Sequence, residues 1–361
     1  MQTNSRIPCI DALKAIACLF IVSHHLAFYG PMSDIAHPLI PNLINWLYQN
    51  GRLAVQVFFV TAGFLVAGKF APGGIVSLRH PLQAIKQRFL RLVIPLWFAL
   101  IVAIVCAGLV RSTLTHYEVP ELPTIPQLFA NIFLLQDLVH QEALSAGVWY
   151  VSIDFQLFSF TVLLFWACGL VAQRHPKRTL LAPLLVLSIC IFSLFIVNRY
   201  DAWDNIGLYF FGSYGGGILA YWASNRRKGL IWLALLAIVV IAATLVEFRI
   251  RIVLAGSLMV LLGLARQYPG IGQRSFGPVL AYLGRISYSI FLIHYPLCLL
   301  VNAAFFIYFP QSPPMNILGM LTGIGISVAG GALFFKYIEN GILVRSIGST
   351  EITSSLSPGR R

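Results

Sequence analysis

Long apolar runs separated by short polar segments dominate the chain, and their lengths indicate the class of protein. A helix that crosses a bilayer needs about 20 mostly apolar residues. Ten runs approach or reach this length, at 12–30, 51–68, 89–110, 147–172, 180–197, 205–222, 230–246, 252–265, 279–309 and 316–338. The pattern predicts an all-α fold, a polytopic transmembrane helix bundle of about ten spans. The run at 252–265 is short enough to be re-entrant, but omitting it would move the basic segments that follow to the outer side.

The charged residues assign an orientation to this bundle. Apolar types make up 58% of the residues and charged types 10%, against roughly 25% charged in soluble domains. With a cytoplasmic N-terminus, the predicted inner segments carry Arg6, Lys69, Arg79, Lys86, Arg88, Arg91, Arg174, Lys177, Arg178, Arg226, Arg227, Lys228, Arg266, Arg274, Arg285, Lys336, Arg345, Arg360 and Arg361. The predicted outer segments carry Arg52, Arg111, Arg199, Arg249 and Arg251, with the acids Asp34, Glu118, Glu121, Asp137, Glu142, Asp201, Asp204 and Glu247.

This positive-inside bias explains the net charge of +13 without a nucleic-acid partner. It predicts a multi-pass protein of the cell inner membrane with both termini in the cytoplasm. We expect one integral membrane domain, 1–345, and a short disordered tail, 346–361. The apolar stretch 125–138 is short and flanked by prolines, which predicts an interfacial helix in the long outer loop. The scattered cysteines predict neither a disulfide nor a metal site, and the sequence leaves the oligomeric state open.

The first predicted helix contains ionisable residues that lipid should exclude, namely Asp11, Lys14, His24 and His25. Such a residue inside a bilayer is a functional hypothesis by default. Lys14 and His25 are eleven positions apart, which places them on one helix face about 16 Å apart along the axis. Asp11 and Lys14, at i,i+3, are close enough to pair, although Lys14 could also snorkel to the interface. A structural role is favoured for His24, whereas His25 could be catalytic or a hydrogen-bonded bundle histidine.

Two arginines follow in the basic segment that leads into the third span. Arg88 and Arg91 stand at i,i+3 at the mouth of a helix. Two neighbouring guanidinium groups suit a phosphate-bearing ligand that arrives from the cytoplasm. The structural alternative is topogenic charge.

Polar groups also interrupt two later apolar runs. The block 149–156 places Asp154 near the outer start of the fourth span. The block 283–296 contains Arg285 and, at His294, a His-aromatic-Pro step that we expect to lie inside the membrane. Its serines are expected to bond backbone carbonyls.

Together these stretches resemble acyltransferase family 3, integral membrane enzymes that O-acylate surface polysaccharides and related acceptors. The resemblance runs from Ile10 to about Arg345. The family's first-helix motif is a basic residue, ten intervening residues and a histidine, here Lys14 and His25. The segments that resemble the family's other blocks are 58–65, 88–95, 149–156 and 283–296. The chain departs from the family in having lysine instead of arginine in the first helix, which loses bidentate geometry, and Asp154 in place of glutamate.

The resemblance implies an acyl-CoA donor on the cytoplasmic side, expected to be acetyl-CoA, and an acceptor hydroxyl on an extracytoplasmic glycan or glycolipid. It implies no permanently bound cofactor and no metal. Lys14, Arg88 and Arg91 would hold the CoA phosphates, with help from Arg285. His25 would act as general base or as a nucleophile that forms an acyl-imidazole, and Asp154 would orient the acceptor or the imidazole.

Three alternatives to an acyltransferase can be considered for such a bundle. A polyprenyl-phosphate glycosyltransferase or polymerase would need larger outer loops than these. A transporter or flippase of an envelope glycan precursor would use the intramembrane charges to move an intact ligand, and would leave no acyl ester. A purely structural subunit would give Lys14 and His25 no role.

Overall fold

The computed structural model of the chain describes residues 7–115, 119–175, 180–224 and 229–341. Several predicted inner and outer charges and the predicted tail fall outside the described residues, namely Arg6, Glu118, Lys177, Arg178, Arg226, Arg227, Lys228, Arg345, Arg360, Arg361 and 346–361.

Helices make up all the regular secondary structure of the described ranges, which confirms the all-α prediction. The helices are α1 (Pro8–Phe28), α2 (Pro31–Ala36), α3 (Pro41–Asn50), α4 (Val55–Phe70), α5 (Pro81–Val110), α6 (Ile125–Ile132), α7 (Val148–Arg174), α8 (Leu181–Phe195), α9 (Gly207–Ser224), α10 (Gly229–Val246), α11 (Ile250–Gln267), α12 (Pro269–Gly272), α13 (Pro278–Tyr308) and α14 (Pro313–Phe334). A π-helical turn, Phe335–Glu339, continues α14. The cytoplasmic position of the two termini stays a prediction.

Nine helical segments in the described ranges are long and apolar enough to cross a membrane. They include α11, whose 18 residues make the doubtful run at 252–265 long enough to span. The remaining predicted run, 205–222, forms α9, which is less apolar because glycines and aromatic residues replace aliphatic ones. Fourteen of its 18 residues are buried, so α9 contacts mainly protein instead of lipid.

Contacts with α4 show the direction of α9 relative to its neighbour. Near the start of both helices, Ser213 Oγ donates a hydrogen bond to Gln56 Oε1 at 2.6 Å. Near their ends, Trp222 Nε1 donates to the Ala71 carbonyl oxygen at 2.6 Å. Between these points Gly217 lies so close to α4 that an added Cβ would overlap the Val60 carbonyl oxygen. Residue numbers rise together from one hydrogen bond to the other, so the two helices run side by side in the same direction.

The same kind of contact orients α1 and α13. Gly284 lies directly against the Asp11 carbonyl oxygen, and one to two turns further on Cys18 Sγ donates to the Ser287 carbonyl oxygen at 3.3 Å. Residue numbers rise together along both helices, so the helices are parallel. Parallel spans are separated by an even number of crossings, and spans one and nine of the ten-span arrangement satisfy this. Dropping α9 alone would make them antiparallel, which supports counting α9 as a span.

Two helices form the centres of the bundle. α13 packs against α1, α5 and α14, whereas α9 packs against α4, α8, α10 and α11. α7 connects the two groups because it contacts α4, α5, α8 and α9. The polar residues singled out in the sequence lie on α1, α5, α7 and α13, around the interior between the two groups.

The predicted interfacial helix at 125–138 is shorter in the structure. α6 starts with a capping box between Thr124 and Gln127 and ends at Ile132. Asn131 explains the early end: its Nδ2 donates to the Glu142 carbonyl oxygen, and its Oδ1 accepts from the Leu144 amide, both at 3.0 Å. These bonds tie the helix to the following loop, so the prediction is wrong for the residues beyond 132.

Candidate active site

One polar region of the interior contains a pair of histidines. His25, in the last turn of α1, is 8% exposed, and His294 on α13 is fully buried. His25 Nδ1 lies 2.6 Å from His294 Nε2, and the two rings are nearly parallel, 10° apart. His294 Nδ1 lies 2.8 Å from the Phe291 carbonyl oxygen. The parallel packing of α1 on α13 thus brings together two imidazoles that are 269 residues apart in sequence.

His24 faces a different part of the bundle. Its Nδ1 bonds the Leu47 carbonyl oxygen of α3 at 2.9 Å. The adjoining Gly51 allows this approach, because an added Cβ would collide with the Cβ of His24. This contact fits the structural role predicted for His24.

A second polar region of the interior contains an ion pair whose acid is buried. Arg88 Nη2 on α5 donates to Asp154 Oδ2 on α7, and the Asp154 side chain is only 2% exposed. The Arg88 guanidinium also lies over the Phe158 ring, 5.5 Å from its centroid. Removing Arg88 would leave the buried Asp154 charge uncompensated, which is strongly destabilising. Arg88 and Asp154 therefore hold α5 and α7 together.

Three buried polar atoms near this ion pair have no hydrogen-bond partner among the described residues. They are Arg88 Nε, Asp154 Oδ1 and Tyr214 Oη. Tyr214, on α9, is fully buried and lies within electrostatic range of both charges. A buried polar group without a partner is costly, so water or a polar ligand is expected here.

Further cations lie close to the ion pair. Lys14 is within electrostatic range of Arg88, Arg91 and Asp154 as well as of Asp11. Lys69, on α4, is within range of Arg88 and Arg91. No ion pair joins Asp11 and Lys14 in the part of the chain that the structure describes. Of the acids within electrostatic range of Lys14, Asp11 has the larger effect. The predicted basic residues of α1 and α5 therefore form one cationic cluster with Lys69 of α4; its members are Lys14, Lys69, Arg88 and Arg91.

Aromatic side chains lie between the cationic cluster and the histidine pair. Tyr150 on α7 lies within electrostatic range of Asp154, and its ring centroid is 5.2 Å from that of Phe291. The Phe291 ring is in turn 5.9 Å from that of His294. Phe59 on α4 covers the other side of Tyr150 at 5.1 Å. The side chains between the two polar regions are therefore largely aromatic.

Two predicted site residues lie elsewhere than the sequence suggested. Asp154 pairs with Arg88, and no described contact joins it to His25, so an orienting contact with the imidazole is absent. Arg285 is exposed and lies over the Tyr282 ring, 5.7 Å from its centroid. No described interaction connects Arg285 with Lys14, Arg88 or Arg91.

Sequence patterns missed the partners of these residues more than the residues themselves. The His-aromatic-Pro step drew attention to His294 but did not identify His25 as its neighbour. Tyr214 carried no signal, because a tyrosine within an aromatic-rich run is typical of a packed helix. The glycines around it were the available clue, since closely spaced glycines let helix backbones approach in membranes.

A comparison with protein-family models matches one family, described as an acyltransferase domain, over residues 7–336. No match was found to a curated protein or to a solved structure. The family match covers both the histidine pair and the cationic cluster.

Proposed function

This chain belongs to acyltransferase family 3, and we propose that it is an O-acyltransferase of the cell inner membrane. It takes an acyl group, expected to be acetyl, from acyl-CoA on the cytoplasmic side. The acceptor is a hydroxyl of an extracytoplasmic glycan or glycolipid. The single observation that carries this proposal is the arrangement along α1, with a cationic cluster at one end and a paired imidazole at the other.

The cationic cluster suits the donor. Lys14, Arg88 and Arg91 offer ammonium and guanidinium groups to the phosphates of CoA, and charge-assisted bonds to phosphate are the strong ones. The distance of about 16 Å from Lys14 to His25 along the helix is comparable with the length of an extended pantetheine arm. The thioester would then lie near His25, within reach of an acceptor from the outer side.

His25 supplies the base in the proposed reaction. Its Nε2 removes the proton of the acceptor hydroxyl while the oxygen attacks the thioester carbonyl carbon. The tetrahedral intermediate collapses with cleavage of the carbon–sulfur bond, and the proton on Nε2 passes to the departing thiolate. The products are the acyl ester and free CoA, and His25 returns to its neutral form.

The test measures transfer of radiolabelled acetyl groups from acetyl-CoA into cell-envelope material as base-labile ester. Membranes with the wild-type chain should form labelled ester, and those with His25→Gln should form at least about 10²-fold less, because general-base catalysis contributes that much. His37→Gln is the matched control, since His37 is bonded to Asn45 at an exposed position away from the pair. Absence of ester from the wild type, with a labelled glycan precursor crossing the membrane intact, would instead favour the transporter.

A further inference from the structure

We infer that His294 is a positioning residue that acts through His25, an inference that rests on the proposed function. It holds the His25 imidazole in the tautomer whose Nε2 bears the lone pair. It also shares the positive charge that arises when Nε2 takes the acceptor proton.

The tautomer follows from the hydrogen bonds in order. A backbone carbonyl oxygen only accepts, so the bond to Phe291 requires His294 Nδ1 to carry the proton. A neutral imidazole has one donor and one acceptor nitrogen, so His294 Nε2 is then the acceptor. The 2.6 Å contact between the rings is therefore donated by His25 Nδ1. This leaves the lone pair of His25 on Nε2, which has no hydrogen-bond partner among the described residues.

The surroundings favour a neutral pair at rest. The titratable groups within electrostatic range of His25 are His24, His294 and Arg52, none of which is an acid. A resting imidazolium would therefore be an uncompensated charge inside the bundle, which is costly. A carboxylate in place of His294 would itself be a buried charge in the membrane interior. An imidazole orients His25 without adding one.

The same bond stabilises the charged state once it forms. When His25 Nε2 takes the hydroxyl proton, the Nδ1 proton of His25 is held between two imidazole nitrogens. Its transfer to His294 Nε2 would place the charge on His294, whose Nδ1 continues to donate to the Phe291 carbonyl. The proton returns along the same bond when His25 Nε2 protonates the thiolate. No proton is gained or lost by the pair over the cycle.

The first experiment measures the tautomer directly, by nitrogen-15 NMR of the imidazoles in the full-length protein reconstituted in lipid. The His25 signals are assigned by their loss in His25→Gln. We expect His25 with a protonated Nδ1 and a bare Nε2 in the wild type. In His294→Ala, His25 should shift toward the Nε2-protonated form that a free imidazole prefers. A wild-type His25 protonated on Nε2 would overturn the inference, whatever the activity of the protein.

The second experiment separates positioning from packing in the acyl-transfer assay. His294→Ala should lower kcat by about 10²-fold, the lower end of what general-base catalysis contributes, with little change in KM for acetyl-CoA. His294→Gln should restore part of kcat, because its amide oxygen can accept from His25 Nδ1. Cys298→Ala, one turn further along α13 and buried beside Ser327, is the control for a lost buried side chain.

Equal losses in the alanine, glutamine and Cys298→Ala variants would assign His294 a packing role and overturn the inference. Failure of the wild type to transfer acetyl groups would instead contradict the proposed function, and the NMR measurement would still decide the role of His294.

Discussion

At the scale of single residues, Lys14 and Arg285 are examples of two kinds of basic residue, one within the cationic cluster and one exposed outside it. Both were predicted to help bind the donor. Lys14 lies within the cationic cluster near the Arg88–Asp154 ion pair, whereas Arg285 is exposed beside Tyr282. If the cluster binds phosphate, only Lys14 should affect the binding of donors that carry the nucleotide of CoA.

We therefore expect Lys14→Gln to raise KM for acetyl-CoA by about 10-fold, because a hydrogen bond to a charged group contributes roughly 1.5–3 kcal/mol. KM for S-acetyl-pantetheine, which lacks the nucleotide phosphates, should stay the same. Steady-state kinetics with the two donors make the comparison, and Arg285→Gln is the matched control. An equal rise of KM for both donors would contradict a phosphate-binding role.

The residues that could be predicted from sequence are those whose chemistry conflicts with the bilayer. Lys14, His25 and Asp154 were singled out because lipid excludes such groups, and all lie around one interior together with Arg88, which was singled out for its position beside Arg91 at the mouth of a helix. Their pairing could not be predicted, because helical periodicity assigns a face within one helix and not the faces that meet between helices. Arg88 and Asp154 are 66 residues apart in sequence, and only the packing of α5 on α7 joins them.

At the scale of secondary-structure elements, glycine determines which helices come closest. Gly217 on α9 lies against the Val60 carbonyl oxygen and Gly63 on α4 lies against the Tyr214 carbonyl oxygen. These two reciprocal contacts put backbone against backbone, which is how small residues drive helix association in membranes. They also hold Tyr214 in the interior beside the ion pair.

Gly217→Ala should therefore destabilise the bundle by about 1–3 kcal/mol, the usual cost of overpacking. Gly325→Ala on α14 is the matched control, since an added Cβ there meets nothing within 4 Å. Alanine also favours a helix over glycine, so the control should be neutral or slightly stabilised. Thermal unfolding of the two variants in detergent gives the comparison, and equal midpoints would show that α4 and α9 have room to separate.

The long helices and α6 show where sequence prediction of the helices succeeds and where it fails. Length and hydropathy located every long helix of the described ranges, because each needs a continuous apolar run. The end of α6 was missed, because it depends on Asn131 bonding to Glu142 and Leu144 across a loop. Such side-chain contacts leave no periodic signal.

At the scale of the whole molecule, the parallel contacts of α1 with α13 and of α4 with α9 agree with one chain path. Both pairs join spans of the same parity, one with nine and two with six. Along α1, Lys14 and His25 are about 16 Å apart, so the cationic cluster and the histidine pair lie at different depths of one interior. Under the proposed function, a donor and an acceptor from opposite sides of the membrane would meet in this interior without either crossing it.

The burial of α9 has a consequence for how the protein is made. During synthesis each segment must leave the translocon for lipid, and glycine, tyrosine and serine favour this step less than leucine or isoleucine do. α9 carries a run of such residues, whereas its neighbour α10 is nearly all aliphatic. The glycines that allow close packing on α4 therefore oppose entry of α9 into the bilayer by itself.

We expect α9 placed alone in a host membrane protein to insert in a smaller fraction of chains than α10, as scored by glycosylation of flanking acceptor sites. Replacing Gly215, Gly216 and Gly217 with leucine should raise insertion of the isolated segment. In the full-length chain the same replacement should reduce accumulation of folded protein, since Gly217 has no space for a side chain. Equal insertion of α9 and α10 would contradict the idea that close packing and membrane insertion place opposite demands on α9. The expected result would mean that α9 depends on helices already in the membrane to complete its own insertion.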